Sequence, residues 1–307
     1  MRIVEASAPG RCGIIGNPSD IYGGVVVSCS VPARARCRLT LGIDGPKPED
    51  PRLWDAAIGR FPLDEPVSVE WTTDIPRSSG LSGSTALLAA TLACLLAARG
   101  EANRLDAPAA FAELLRGVER HDAKIMCGYQ DAYMIAYGGL RRMDFAGKHP
   151  VEQGPPAKVE SIESDLPFLL VTTGVERLSG AVHGPMSERW LRGEKTVVEG
   201  MARIAELGRL GAKALAASAW EDLARLMAEN HEIVAALGGS GVEVDRLIAA
   251  CLAGGAKAAK LAGAGLGGTV IALTSDPEDL ETYLRSAGYF RIMRPRRVPG
   301  VKLERAP

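Results

Sequence analysis

No run in this 307-residue chain is apolar for long enough to span a bilayer. The most apolar stretch, Ala86 to Ala98, falls short of the roughly 20 residues a spanning helix needs and reads as a buried helix. An excess of charge of either sign is missing too: 36 Lys and Arg face 37 Asp and Glu, for a formal net charge of −1. That balance argues against nucleic acid or an anionic membrane surface as the main partner. The six cysteines, Cys12, Cys29, Cys37, Cys94, Cys127 and Cys251, include no C-x-x-C pair. Zinc-finger and thioredoxin chemistry are thereby excluded. Most of these cysteines sit among apolar neighbours, the setting of reduced core thiols. Met1 to Gly10 lacks a signal-peptide pattern, so the expected location is cytoplasmic. No internal repeat of fixed period is present.

What remains is the composition of an ordinary globular protein, long enough for a large core and two domains. Short β-rich runs open the chain: Ile3–Ala6, Cys12–Ile15, Val25–Ser28 and Arg36–Leu41. Residues 42–66 are rich in Pro, Gly and Asp and read as a long surface excursion. A strand at Val67–Trp71 precedes helices ending near Arg99, over Ala107–His121 and around Asp131–Ala136. Leu140–Phe145 returns to strand. Residues 146–167 carry Gly147, Pro150, Gly154, Pro155, Pro156 and Pro167, the best boundary signal, which divides the chain at 1–155 and 156–307. Beyond it come a strand at Phe168–Thr173, helices over 185–236 and Val242–Ala253, a strand at Thr269–Leu273, a helix at Pro277–Ala287 and a strand at Tyr289–Met293. This mixture predicts two α+β domains. The basic tail from Arg291 to Arg305 reads as a solvated terminal segment.

The most informative stretch is Pro76-Arg-Ser-Ser-Gly-Leu-Ser-Gly-Ser-Thr-Ala86, followed at once by the apolar helical run. Small residues let backbone approach a ligand closely. Ser and Thr favour a helix start near Ser82 to Ser84. Free N–H groups and the partial positive charge of a helix N-terminus make that turn a phosphate site. Two other glycine motifs accompany it, Ala8-Pro-Gly-Arg-Cys-Gly-Ile-Ile-Gly-Asn-Pro-Ser-Asp-Ile-Tyr-Gly-Gly24 and Lys260-Leu-Ala-Gly-Ala-Gly-Leu-Gly-Gly-Thr269. Neither common nucleotide fingerprint fits. The 76–86 loop lacks the Gly-Lys-Ser/Thr of a Walker A loop, and the 260–269 loop precedes a strand instead of opening a helix.

Together and in this order the three motifs resemble the GHMP kinases, the superfamily of galactokinase, homoserine kinase, mevalonate kinase and phosphomevalonate kinase. The resemblance runs from about Arg2 to Ala287. A closer set is similar to glucuronokinases, which phosphorylate the anomeric hydroxyl of a uronic acid. It comprises Asn17-Pro-Ser-Asp20, Ile75-Pro-Arg77, Gly80-Leu-Ser-Gly-Ser84, Gln130-Asp131, Tyr137-Gly-Gly-Leu140, Met143-Asp-Phe145, Ser179-Gly180, Val182-His183 and Arg189-Trp-Leu191. Ala181 departs from it, standing where a Lys is expected. The resemblance implies a two-domain α+β fold, with an N-terminal domain like domain 2 of ribosomal protein S5 and a ferredoxin-like C-terminal domain. It also implies ATP and Mg2+ as cofactors, a sugar or sugar-acid acceptor, and a monomer or homodimer. Other acceptors (heptose phosphate, galactose, inositol, mevalonate) stay open, as does a non-catalytic metabolite-binding relative.

The same resemblance assigns roles residue by residue. Asp131, in Cys-Gly-x-x-Asp, matches the catalytic aspartate that deprotonates or orients the acceptor hydroxyl. Arg11 stabilises charge near the transferred phosphoryl group or pairs with that carboxylate. Pro76, Gly80, Leu81, Ser82, Gly83, Ser84 and Thr85 bind ATP, with Gly263 and Gly265 packing against the nucleotide. Ser84 and Glu119 fall at the magnesium positions, with Asp122 competing for the second. Asn17, Asp20 and Tyr22 face the acceptor, and His183 and Arg189 are candidates for a substrate carboxylate, Arg offering a two-pronged donor fork.

Overall fold

The computed structural model describes residues 2–306 apart from 47, 49, 50, 152, 153, 175–179, 264, 266 and 267, together with the side chains of 180–183. The first glycine motif lies inside a strand. Strand β1 (Arg2–Ile15) runs unbroken through Ala8-Pro-Gly-Arg and pairs antiparallel with β2 (Val25–Leu41). The four short strands expected there are two long ones. The punctuating residues fall where the register shifts, between Pro9 and Arg11 and between Gly13 and Ile15. A proline costs a ladder little at a bulge, and a glycine there lets another chain segment approach. A Cβ on Gly10 would sit 2.8 Å from the Leu81 carbonyl oxygen.

Residues 42–66 correct the surface-excursion reading. They contain helix α1 (Pro51–Arg60), which buries Leu53, Trp54, Ala56 and Ala57. Pro51 opens it, where a missing N–H is harmless. Strand β3 (Val67–Thr73) then pairs with β2. Helix α2 (Gly83–Ala98) is covered on nearly every side, as its all-round apolar sequence requires. Helix α3 (Pro108–Gly117) continues into a π-turn over Val118–Asp122, and α4 (Gln130–Tyr137) follows. Strands β4 (Leu140–Asp144) and β5 (Lys158–Ser161) extend the sheet from β2.

Strand β6 (Phe168–Thr172) begins a second sheet, followed by helices α5 (Gly180–Leu191), α6 (Lys195–Ala216), α7 (Trp220–Ala236) and α8 (Val242–Ala253). Strands β7 (Ala258–Leu261) and β8 (Thr269–Leu273), helix α9 (Pro277–Ser286) and the short β9 (Ile292–Met293) complete it in the order β7-β8-β6-β9. The last strand was expected to begin at Tyr289, and only its end pairs. The protein is thus two-domain α+β, with one apolar cluster under the first sheet and a smaller one against the second.

The terminal segment is not a solvated tail. Its arginine heads stay largely outside, but its backbone is woven into the first sheet. Strand β10 (Lys302–Arg305) pairs with β1, giving the order β10-β1-β2-β4-β5. Ser30 Oγ donates to the Arg296 carbonyl at 2.8 Å, the Gly139 N–H donates to the Val298 carbonyl at 2.9 Å, and the Val301 N–H donates to the Ile135 carbonyl at 2.8 Å. Both β5 and β10 join the first sheet from beyond residue 155, so sheet membership does not follow the expected break at 155/156. All six cysteines are buried and free, and no described helix is long and apolar enough to cross a membrane.

Trp54 is 6% exposed. Replacing it with Ala is expected to lower the unfolding free energy by about 3 kcal/mol, the usual cost of emptying an aromatic core site. Urea denaturation checks this; a change below 1 kcal/mol would mean that α1 is not part of the core.

Candidate active site

Three chain segments meet at Arg11. Its backbone N–H donates to the Leu81 carbonyl at 3.1 Å, while the Gly13 N–H donates to the Ala262 carbonyl at 2.8 Å. The side chain is 6% exposed. Nε and Nη2 both donate to Asp131 Oδ1, at 2.8 and 2.5 Å, and Nη1 donates to the Gly80 carbonyl at 2.6 Å and more weakly to that of Ala262 at 3.5 Å. One guanidinium therefore joins the carboxylate at the start of α4 to the 76–86 and 260–269 loops. The Asp131 side chain keeps 24% exposure, so it is held but reachable.

Asp20 holds the same helix from below. Its Oδ2 accepts the N–H groups of Tyr129 and Gln130 at 2.6 and 2.9 Å. A carboxylate on the free N–H groups of a helix start matches the local dipole. Gly128 has no side chain because a Cβ would lie 2.2 Å from that oxygen. Asp20 is thus a helix anchor at 2% exposure, with at least one oxygen committed to backbone.

The 76–86 turn is shaped to approach a ligand closely, although its start is not the expected side-chain cap. Ser82 occupies the N-cap position of α2 with φ of 65°, and its side chain caps no N–H. Its hydroxyl is buried without a hydrogen-bond partner in the structure. Gly263, Gly268 and Thr269 pack directly over this turn. A Cβ on Gly263 would come within 3.1 Å of the Gly80 carbonyl oxygen, and one on Gly268 within 2.5 Å of that of Ser79. Thr269 Oγ1 donates to the Ser79 carbonyl at 2.9 Å. Pro76, Gly80, Leu81, Ser82, Gly83, Ser84, Thr85, Gly263 and Gly265 are all in described backbone; Ala264, Leu266 and Gly267 lie outside it. An orphaned buried hydroxyl, a cradle that side chains would fill and a helix start fit a phosphate group.

Glu119, from the π-turn, is fully buried beside this helix start. Thr85 Oγ1 donates to its carboxylate, 2.9 Å from each oxygen. Burial, and next the nearby Asp131 charge, push the Glu119 carboxyl up to about 7, while Thr85, Cys127 and Ser84 hold it down as hydrogen-bond donors. Ser84 is itself exposed. Asp122 is elsewhere, paired on the surface with Arg60 at 2.9 Å. A hydroxyl and a carboxylate suit a magnesium ion that takes its other oxygens from phosphates and water. Among the described residues no group of three or more His, Cys, Asp or Glu could hold a metal unaided.

The acceptor-side candidates separate. Asn17 is spent internally: Nδ2 donates to the Gly263 carbonyl at 2.8 Å, and Oδ1 accepts from Lys260 Nζ at 2.7 Å. Arg189, expected to offer its fork to a substrate, gives it to Glu194 at 2.9 and 2.6 Å and to the Leu237 carbonyl at 2.9 Å. Tyr22 packs on Trp190 with ring centroids 5.4 Å apart, and His149 meets Trp190 edge-on at 4.8 Å. The His183 side chain lies outside the described residues. Two groups were missed by the sequence reading. Lys260 stands in the third motif with nothing local to give it a role. Asn230 on α7, which accepts the Gly16 N–H at 2.9 Å and donates to the Asn17 carbonyl at 3.1 Å, gave no local signal.

Two family models match the chain: "GHMP kinases N terminal domain" over residues 52–139 and "GHMP kinases C terminal" over residues 212–289. The chain belongs to the GHMP kinase family. Among relatives of this GHMP kinase, "Probable glucuronokinase 2" of Arabidopsis thaliana is 31% identical over 242 residues, covering 74% of the chain and 63% of the relative. The chain thus spans less than two thirds of that relative's length. The D-glycero-alpha-D-manno-heptose 7-phosphate kinase of Campylobacter jejuni is 24% identical over 313 residues, covering 87% and 88%. The Lactococcus lactis galactokinase solved with galactose superposes with a TM-score of 0.77 at 17% identity, covering 98% of the chain and 95% of that structure.

A carboxyl whose folded-state pKa is raised stabilises the protein in its neutral form, and the benefit is lost as pH climbs through that pKa. For Glu119 the window runs from the ordinary value of 4.5 up to about 7. In metal-free buffer the unfolding free energy is therefore expected to fall less between pH 5 and pH 8 for Glu119→Gln than for the parent protein. Parallel curves for the two would mean that Glu119 is not buried as a neutral acid.

Proposed function

We propose that this GHMP kinase transfers a phosphoryl group from Mg·ATP to a sugar hydroxyl, with the anomeric hydroxyl of a uronic acid as the favoured acceptor. The observation that carries the reading is the Arg11–Asp131 pair, fixed at the junction of the two glycine loops and the start of α2. Phosphoryl transfer asks little covalent chemistry of a protein and much positioning and charge stabilisation. Backbone N–H groups of Gly80 to Ser84 would face the β- and γ-phosphates, and the buried Ser82 hydroxyl would add a donor. Ser84 and Glu119 would hold Mg2+, which when bound neutralises charge on the phosphate oxygens. Asp131, oriented by Arg11, accepts the acceptor hydroxyl proton or aligns that hydroxyl for attack. Arg11 would add positive charge at the transferred group. The phosphate-binding unit is drawn as residues 1–155, with β5 and β10 added to its sheet, and 156–307 supplies the covering loop.

The uronate acceptor is supported by the Arabidopsis relative and by the Asn17–Asp20, Gly80–Ser84 and Arg189–Leu191 segments. A heptose phosphate acceptor is the second reading, favoured by the Campylobacter relative, which aligns along nearly the whole chain.

A coupled ADP-release assay with Mg·ATP across glucuronate, galacturonate, galactose, heptose 7-phosphate, inositol and mevalonate tests the proposal. Turnover is expected with glucuronate in preference to neutral sugars, and Asp131→Asn is expected to lower kcat about a thousandfold with the fold intact. Absence of turnover with every acceptor, or an Asp131→Asn variant with parental kcat, would overturn it.

A further inference from the structure

Lys260 is the most deeply buried charged group in the second sheet, at 1% exposure on β7. Its ammonium donates to Asn17 Oδ1 and to its neighbour's carbonyl at Leu261, both at 2.7 Å. Among the described residues its hydrogen-bond partners and the charges acting on it include no carboxylate. The groups that face it are the Cys12 thiol and the Arg11 guanidinium from β1 and His231 from α7, whose own nearest acid is Asp245 at 4.0 Å. A buried ammonium normally finds an anion or gives up its proton. The two oxygens it does bind lie in the first and third glycine motifs. Asn17, which accepts from Lys260, uses its other end to hold the Gly263 carbonyl at 2.8 Å. Gly263 in turn packs on Gly80 at the phosphate cradle.

We propose that Lys260 is a positioning residue for the nucleotide: through Asn17 it sets the position of Gly263 over the cradle, and the charge it lacks locally is supplied by the bound phosphates. This rests on the proposed ATP site. Loop setting and charge compensation act on the nucleotide and leave the acceptor untouched. Burial, partly offset by Cys12 and reinforced by Arg11, pushes the Lys260 ammonium down to about 7. A polyanion arriving nearby raises it again, so nucleotide binding draws a proton from solvent onto Nζ.

Two measurements test this. Lys260→Met is expected to raise KM for ATP roughly tenfold or more, the worth of one charge-assisted hydrogen bond, with KM for the acceptor unchanged. Calorimetric titration with Mg·ADP near pH 7.5, in buffers of different ionisation enthalpy, reads proton exchange directly. Compared between the unmodified protein and Lys260→Met, so that any proton exchanged at Glu119 is common to both, it is expected to show roughly half a proton or more of uptake that is lost after Lys260→Met. If Lys260→Met does not fold, Asn17→Asp decides. It gives the ammonium a counter-ion and removes the donor to Gly263, so ATP KM rises and the same share of the uptake is lost. Unchanged ATP KM in either variant, an equal rise in acceptor KM, or undiminished proton uptake would overturn the inference. Failure of the unmodified protein to bind nucleotide would instead overturn the ATP reading itself.

Discussion

The Arg11 guanidinium is the constraint on which the arrangement of the site depends. Removing such a group from water carries a penalty of several kcal/mol unless oxygen acceptors replace the lost hydration. Here they come from three places far apart in sequence: the Asp131 carboxylate, the Gly80 carbonyl and the Ala262 carbonyl. None of the three can shift without exposing or stranding the charge. The same segments are tied a second time by the backbone N–H groups of Arg11 and Gly13. A buried cation that recruits two carbonyls and a carboxylate converts separate loops into one unit, and its strength against displacement rises with the water it excludes.

Helix α4 then transmits that rigidity. It is short and would fray alone. At its start Asp20 accepts two N–H groups, and at its end the Val301 N–H reaches the Ile135 carbonyl. Gly300 is close against it, since a Cβ would stand 2.2 Å from the Ala136 oxygen. The terminal strap therefore does for one end of the helix what the first motif does for the other. Asp131 is presented by an element clamped at both ends, which is what a reaction dominated by positioning requires.

How much of this the sequence displays depends on how local the cause is. The glycine loops are legible because close backbone approach leaves its mark on the very residues involved, and Asp131 and Arg11 stand in motifs of their own. Helix α1 is hidden by the Pro and Gly around it, although Leu53, Trp54 and Ala57 have helical spacing and Pro51 suits a first turn. Strand β10 reads as a charged tail because its reason to be a strand, the open edge of β1, lies at the opposite end of the chain. Asn17 is the sharpest case. An amide after a glycine turn serves a ligand or a loop equally well, and Lys260, 243 positions away, decides the matter. Burial of that lysine depends on α7 and β7 folding over the first motif, which no local pattern announces.

The commitment of Arg189 to Glu194 looks at first like evidence against an acidic acceptor, but the energetics argue otherwise. Both side chains stay substantially exposed, at 30% and 39%. Ion pairs between exposed groups contribute little, because water competes for each partner and salt screens the attraction. A fork that loses little on releasing Glu194 is a recruitable one, open to a second carboxylate. The bond to the Leu237 carbonyl uses Nη1 and survives such an exchange, since Glu194 is held through Nε and Nη2. The arginine would then keep its anchor while its fork changes partner. Asn17 differs in kind: its bonds are buried, both ends are used and release would strand an ammonium. Between Asn17 and Arg189, only Arg189 retains the freedom that acceptor recognition needs.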